Sequence, residues 1–362
     1  MSRSVAVALS GGVDSLVSAF LLKQEYDRVV GIHFTTGFEQ NGNSDSFDKN
    51  VSDSNLTRAL ISHLNRQLDI DIVHIDCRNE FRHRVVDYFI QTYQAGQTPN
   101  PCLMCNPLIK FGVILDAAQK LGAERLATGH YARIQVDSTG RYHLLTGVDS
   151  NKDQSYFLGR MNRQQLQSAI FPLGDLTKFR VQGIARVNGL IPFTGNESQD
   201  VCFIKGMDYG EFITRQSGIA PKPGLIADMQ GKILGEHSGL HQFTIGQRRR
   251  INVPAAKPYY VLRLDMSTNR LIVGWKEDLS ASECRVTQVN WIEAIPSGPI
   301  EISVKLRYRH QAVPALLIPE NEHTVRIQFE KPQSAVTPGQ GAVFYQGEMV
   351  LGGGFIIINQ AS

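Results

Sequence analysis

Apolar and polar positions change rhythm along this chain, and the rhythm divides it. In the first third, short apolar runs alternate with segments of helical spacing. Residues 5–9, 29–34 and 70–75 read as buried strands, and 16–23, 55–67 and 79–93 as helices. A further helix over 109–121 leads into a strand over 125–128. Such alternation predicts an α/β domain, doubly wound on a mostly parallel sheet. Residues 162–190 return to helical spacing, with Leu166, Ile170, Val181, Ile184 and Val187. After about Gly206 the texture becomes β-rich. Runs at 225–227, 259–264, 270–273, 285–291, 300–308, 324–329, 342–345 and 349–351 are punctuated by Gly, Pro and Asn at the spacing of small β-barrels. The expected plan is a doubly wound domain over 1–208, with a helical part from about 150. A small central β domain over 209–278 and a C-terminal β-barrel over 279–362 would follow. The polar, acidic stretch 37–54 has little to bury and reads as a flexible insertion able to cover a ligand.

Composition narrows the class. With 362 residues, 42% hydrophobic and 20% charged, the chain can fill real cores, which excludes a disordered or fibrous protein. Apolar runs such as 355–358 fall far short of the roughly 18 residues that span a bilayer. The first residues show no signal pattern, so a cytoplasmic protein without a membrane partner is expected. Five cysteines are an odd number in a long chain and argue for reduced thiols rather than a disulfide framework. Net charge is only +3, but residues 241–310 hold 11 Lys/Arg against 6 Asp/Glu. That stretch suits a phosphate backbone and equally suits a solvated face.

Ser10-Gly11-Gly12-Val13-Asp14-Ser15 follows the first strand and opens the first helix. Two glycines let the backbone turn tightly and aim amides at an anion, and the helix dipole and two hydroxyls add to this. Asp14 is placed to carry a Mg²⁺ that bridges phosphates. No lysine follows the glycines, so this is not a loop of the Walker type. The pattern resembles the PP-loop of the N-type ATP pyrophosphatases, which adenylate a carbonyl oxygen and release pyrophosphate. Gly129-His130-Tyr131 falls just beyond another strand end, where ligands bind in such sheets.

The run Thr98-Pro-Asn100-Pro101-Cys102-Leu-Met-Cys105-Asn-Pro107 reads as a rigid loop, because three prolines fix φ and stop a helix. The helix after it would favour thiolate at Cys105. Cys202 lies in a polar turn entering an apolar strand, while Cys77 and Cys284 read as buried hydrophobes. Two chemistries fit Cys102, Cys105 and Cys202. One thiolate carries a persulfide that another resolves, or all three hold a metal or iron–sulfur cluster with one open position.

Together these motifs resemble the tRNA-specific 2-thiouridylase (MnmA) family over nearly the whole chain. The match adds Asn151 to Leu158, Cys202-Phe203-Ile204, Gly246-Gln247-Arg248, Arg307-Tyr308-Arg309, 337–340 and 351–354. The resemblance implies ATP-dependent sulfuration at C2 of uridine 34 in tRNA. It assigns the persulfide to Cys202 and the nucleophile or resolving role to Cys105. ATP contacts carry over to Ala8, Leu9, Ser10, Gly11, Gly12, Val13, Asp14, Ser15, Phe34 and Gly129. Contacts to the target base carry over to Asn100 and Pro101, and contacts to tRNA to His130, Lys152, Asp153, Gln154, Arg307, Tyr308 and Gln340. The implied cofactors are ATP and Mg²⁺. The implied partners are a tRNA and a sulfur donor (a cysteine desulfurase, a relay protein or sulfide), and a monomer is expected.

Members of the family usually have Asp where this chain has Cys102. That difference motivates an alternative in which Cys102, Cys105 and Cys202 bind an oxygen-sensitive [4Fe–4S] cluster, sulfide sitting on the iron without a protein ligand. Two other functions compete: a ligase of the same loop class that adenylates a small carboxylate, and a non-catalytic tRNA-binding or iron–sulfur protein.

Overall fold

The computed structural model describes residues 3–39, 49–193, 201–218 and 220–357, with side chains from 55 in the helix that starts at 49. The chain forms two compact units: Met1–Val85, Cys102–Gly206 and Glu348–Val350 in one, and Val86–Pro101, Met207–Gly347 and Leu351–Ser362 in the other.

The first unit is built on a five-stranded parallel sheet. From one edge to the other its strands are Asp71–Asp76, Arg28–Thr35, Ser4–Ala8, Arg125–Ala127 and Ala169–Ile170. The order reverses between Ser4–Ala8 and Arg125–Ala127, and a doubly wound sheet opens its ligand crevice at such a reversal, beyond the strand carboxyl ends. Val5, Ala6 and Val7 are fully buried because helices cover both faces. Leu16, Ala19 and Leu22 of the helix Val13–Glu25 meet Leu60, Leu64 and Leu68 of Lys49–Leu68, and Val181 and Ala185 of Lys178–Val187, in one core. Burying a leucine such as Leu64 stabilises by about 1.5–3 kcal/mol, so these contacts fix where the loop after the first strand points.

Three expectations are corrected here. The helix expected from 55 begins at Lys49, which shortens the expected insertion, and residues 40–48 of it lie outside the described residues. The helical stretch 162–190 is broken into Arg163–Gln167, the strand Ala169–Ile170 and Lys178–Val187; Ile170 serves the sheet. The proline-rich run is not a loop from 101 on. Pro101–Cys105 is helical and continues through a π-helical stretch, Asn106–Ile114, into Leu115–Lys120. Proline is tolerated in a first helical turn, where its missing N–H would have no partner anyway. The Asn106 amide donates to the Cys102 carbonyl (3.1 Å), supplying a bond that a widened helix leaves unmade. By length and composition 101–120 could cross a membrane, yet Leu103, Ile109, Phe111 and Ile114 are buried in the protein. A hairpin, Ala132–Val136 with Tyr142–Thr146, also belongs to this unit and was not foreseen.

In the second unit a four-stranded sheet (Tyr260–Asp265, Arg270–Gly274, Gly224–Ala227, Ile233–His237) encloses Ile226, Leu240, Phe243, Val261, Leu271 and Val273. Six further strands, Ser280–Trp291, Thr324–Ser334, Val313–Asn321, Ile300–Lys305, Gly341–Gln346 and Met349–Ile357, close into a barrel when the last pairs with the first. Closure removes the exposed edges that would otherwise template aggregation. The helices Asp87–Gln94 and Tyr209–Ser217 meet through a Tyr93–Tyr209 stack (5.0 Å) and a Phe89–Phe212 edge contact (6.0 Å).

Candidate functional site

The glycine loop stands at the sheet's reversal. Gly11 has φ +84°, a left-handed conformation that glycine adopts without strain, and its carbonyl accepts from the Phe193 amide (2.8 Å). Gly12 occupies the helix cap position and, having no side chain, offers the first-turn amides of Val13–Glu25 no capping oxygen of its own. Such a terminus, with its dipole, is suited to a phosphate. Ser10 and Ser15 hydroxyls lie 3.3 Å apart, and Ser15 Oγ donates to the Gly12 carbonyl (3.0 Å). The Leu9 carbonyl accepts from buried His33 Nδ1 (2.8 Å), and Leu9 N–H donates to Ile32. Phe34 lies at the end of the neighbouring strand, in register with Ile75.

Asp14, expected to carry Mg²⁺, is held by two groups from distant sequence. Tyr131 donates its hydroxyl to Oδ1 (2.7 Å), and Lys178 Nζ lies 2.9 Å from both carboxylate oxygens. Gly129 closes on the loop from the next strand. A Cβ there would stand 3.0 Å from the Asp14 carbonyl carbon and 3.1 Å from the Ser15 nitrogen, so this close approach requires glycine.

From Gly129 the site runs on to the thiols through one buried pair. His130 Nδ1 lies 2.7 Å from Thr128 Oγ1 and Nε2 lies 3.2 Å from Lys110 Nζ. A lysine ammonium only donates, so Nε2 accepts and the proton sits on Nδ1, directed at Thr128. Burial, with the neighbouring Lys110 charge adding to it, holds the His130 pKa well below its ordinary value, so the ring is neutral. Lys110 is also the cation that favours the thiolate at Cys102, Cys105 and Cys202. Burial outweighs it. The thiols of Cys102 and Cys105 are each pushed up to about 12, and Cys202 is raised too, with Lys110 and then Lys205 opposing the rise. The expected helix-dipole activation of Cys105 is therefore overturned. The helix begins at Pro101, which places Cys105 a turn inside it, and desolvation dominates.

Cys102 and Cys105 are half-buried and Cys202 is exposed. The Cys202 turn is anchored by Phe203, which packs against Phe38 (5.9 Å) and Phe81 (5.7 Å). Cys202 lies near enough to raise the pKa of both Cys102 and Cys105, and Cys102 adds to the rise at Cys105. Among the described residues, however, no three Cys, His, Asp or Glu side chains converge as a metal-holding group. As placed here the three cysteines do not fit the expected cluster. Cys77 and Cys284 are buried, as expected.

Some expected tRNA contacts are occupied inside the protein. His130 is buried in the pair just described. The Asp153 carboxylate is buried and accepts from the Gly147 amide (3.0 Å) and the Ser155 amide (3.1 Å) and hydroxyl (3.0 Å). Gln154 Oε1 accepts from the Tyr131 amide (3.1 Å), and Lys152 is half-exposed on the same turn. In the second unit Asn100 and Pro101 are buried, and the Asn100 amide donates to the Tyr88 hydroxyl (3.3 Å). Gln340 Nε2 donates to the carbonyls of Thr98 (3.3 Å) and Pro99 (3.0 Å), fixing the backbone that leads to Asn100. Arg307 is exposed and Tyr308 half-exposed in the turn after Ile300–Lys305. A cavity of about 430 Å³ in this unit is lined by Tyr209, Gln247, Arg248, Arg249 and Arg250, part of the basic stretch seen in the sequence.

Sequence reasoning missed Lys110 and Lys178. Lys110 had a legible signal, as the only charge between Cys105 and Asp116 in an apolar helix. Lys178 had none.

Three family models match consecutive stretches: a tRNA methyl transferase HUP domain over residues 3–206, a tRNA methyl transferase PRC-barrel domain over 211–275 and an aminomethyltransferase beta-barrel domain over 281–356. The tRNA-specific 2-thiouridylase MnmA of Desulfosudis oleivorans is 49% identical, covering 97% of this chain and 94% of that protein. The proteins of the same name from Geotalea uraniireducens and Nostoc punctiforme are 40% and 42% identical. Each alignment covers 98% of this chain, with 95% and 99% of the respective relatives.

Proposed function

The chain belongs to the tRNA-specific 2-thiouridylase (MnmA) family, and from that premise we propose that it thiolates C2 of the wobble uridine of tRNA at the expense of ATP. The observation that carries this reading is the unbroken line from glycine loop to thiols. Gly129 packs on Asp14 and Ser15, its neighbour His130 bonds Lys110, and Lys110 faces the cysteines.

A uracil carbonyl oxygen leaves only once it has been activated, so adenylation and sulfur delivery belong in one site. Ser10–Ser15 and the first-turn amides hold the phosphates; Asp14, whose carboxylate is bonded by Tyr131 and Lys178, would hold Mg²⁺ only in exchange for the Lys178 ammonium, and the ion when bound would screen phosphate charge. The C2 oxygen attacks the α-phosphorus, and the bond to the β-phosphate breaks with its electron pair on pyrophosphate. A persulfide on exposed Cys202, supplied by a sulfur donor, attacks C2, and AMP departs. Cys105 then attacks the Cys202 sulfur, freeing thiouridine and leaving a disulfide for an external thiol to reduce. With its thiol pushed up to about 12 even beside the Lys110 ammonium, Cys105 is protonated at neutral pH, and Lys110 offsets part of the cost of the thiolate it must form to attack. Base splaying, general in recognition of single-stranded RNA, brings C2 out of its loop. Asn100, Pro101, Lys152, Arg307, Tyr308 and the basic 241–310 stretch are the residues assigned to the RNA. The three matched stretches support domain divisions near 208 and 278.

Cys202→Ser should abolish thiouridine yet leave tRNA binding nearly unchanged, and pyrophosphate release should depend on tRNA. Release driven instead by a small carboxylate would reject this reading in favour of a ligase. No step here runs through a cluster. Iron and sulfide analysis after anaerobic purification, on wild type and Cys102→Ala, tests that choice. Stoichiometric iron, lost with Cys102, would replace the persulfide route.

A further inference from the structure

Two cysteines suffice for the sulfur transfer described above, yet a third free thiol stands with them. Cys102 and Cys105 lie three residues apart in the helical turn Pro101–Cys105 and so share one face of it. Three residues of α-helix separate two Cα atoms by about 5 Å, inside the roughly 4.4–6.8 Å that a disulfide spans. Cys202 reaches the same place from a separate segment. Its neighbour Phe203 packs edge-on against Phe81 (5.7 Å), which ends the short helix Arg78–Phe81. That helix packs in turn against Asn106–Ile114, the stretch that continues the cysteine turn. Lys110 of this stretch acts on all three thiols, and Cys202 acts on both of the others.

Resting on the thiolation reading above, we infer that Cys102 is the resolving thiol of the site, which frees Cys202 for its next sulfur by taking over the disulfide. The transfer ends with Cys105 joined to Cys202. Cys102 gives up its proton, and its sulfur attacks Cys105 Sγ. The Cys105–Cys202 bond breaks with its electron pair on Cys202, which leaves as a thiolate and takes up a proton. This exchange neither gains nor loses electrons. The oxidised pair moves to Cys102–Cys105, where an external dithiol reduces it and itself ends as a disulfide. Exchange expels most readily the thiol whose thiolate is better stabilised. Burial pushes Cys102 and Cys105 up to about 12, whereas at exposed Cys202 both Lys110 and Lys205 oppose the rise, so Cys202 is the group expelled. The same burial leaves little Cys102 thiolate at neutral pH. Holding the reacting sulfurs one helical turn apart offsets that deficit, since well-oriented intramolecular reactions reach effective molarities of about 10⁵ M or more.

The test oxidises the reduced, full-length protein with diamide, in the absence of ATP, tRNA and sulfur donor. Free thiols are then labelled with N-ethylmaleimide and the tryptic peptides mapped by mass spectrometry. Wild type should carry its label on Cys202, with Cys102 and Cys105 unlabelled and joined within one peptide. Cys102→Ala should instead join Cys105 to Cys202, and Cys102→Ser is read in the same way if the alanine variant does not fold. With a monothiol as reductant, turnovers after the first should slow by about tenfold or more in the variant, because the intramolecular step is gone. Wild-type protein labelled at Cys102 while Cys105 is joined to Cys202, or labelled at all three thiols, would overturn the inference. So would later turnovers in the variant that match wild type. The oxidation involves no adenylation, so it decides the exchange even where no thiouridine forms, a result that would reject the thiolation reading by itself.

Discussion

Replacing Lys110 with methionine keeps the length and apolar stem of the side chain and removes one charge. The lysine favours the anionic form of the exposed Cys202 thiol, and it is the largest such influence there, ahead of Lys205. Two unit charges near a protein surface interact by about 1–4 kcal/mol. Even the lower part of that range, about 1–1.4 kcal/mol, corresponds to a five- to tenfold change in thiolate population. The sign follows directly. Without the cation the thiolate is disfavoured, the thiol titrates at higher pH, and at any pH below its pKa less thiolate is present. The assay is iodoacetamide alkylation of Cys202 from pH 7 to 9.5, quantified by peptide mass spectrometry. Lys110→Met should slow alkylation about five- to tenfold across that range. Lys205→Met should slow it less, and Lys110→Arg should preserve the rate. A Lys110→Met profile that overlies wild type, or a larger effect from Lys205, would refute the assignment of Lys110 to the thiols.

Gly129→Ala places a methyl group 3.0 Å from the loop backbone at Asp14, so ATP affinity measured by calorimetry should drop about tenfold. An unchanged affinity would mean that the loop does not hold the nucleotide. His130 is buried neutral, its pKa lowered in the fold, so below about pH 6.5 the unfolded chain binds more protons than the native one. The urea midpoint should therefore be level above that pH and fall beneath it, and His130→Gln should flatten part of the slope. A midpoint constant from pH 7.5 to 5 would contradict the buried-neutral assignment. Arg307→Ala should weaken tRNA binding and reduce its salt dependence by about one unit of slope, whereas Cys202→Ser should alter neither.

Much of this was legible because it depends on local chemistry. The strands of the parallel sheet announced themselves as short apolar runs, since burial on both faces leaves no room for alternation. The loop was legible because a tight turn and a close anion approach demand small residues. The hairpin Ala132–Val136 with Tyr142–Thr146 was not, for its residues are half exposed and mixed in polarity, with Arg133, Gln135 and His143 among them. Pro101 and Pro107 misled for a physical reason. Proline is permitted in a first turn, and a π-helical stretch accommodates the second, so a cysteine pair expected in a loop rides on a helix. The thiol energetics were hidden more deeply, because desolvation of Cys105 and its meeting with Lys110 and Cys202 are set by tertiary packing. Lys178 was beyond reach altogether, since nothing near it in sequence says that it will face Asp14.

The account rests on adenylation and sulfur transfer being consecutive acts of one site. The most direct measurement supplies the protein with ATP, Mg²⁺, a persulfide-generating sulfur donor and unmodified tRNA, and follows pyrophosphate and 2-thiouridine together, the latter by mass spectrometry. One pyrophosphate released per thiouridine formed, at the wobble position and not without tRNA, is the predicted result. Pyrophosphate released in the absence of tRNA, or thiouridine formed without ATP, would contradict it.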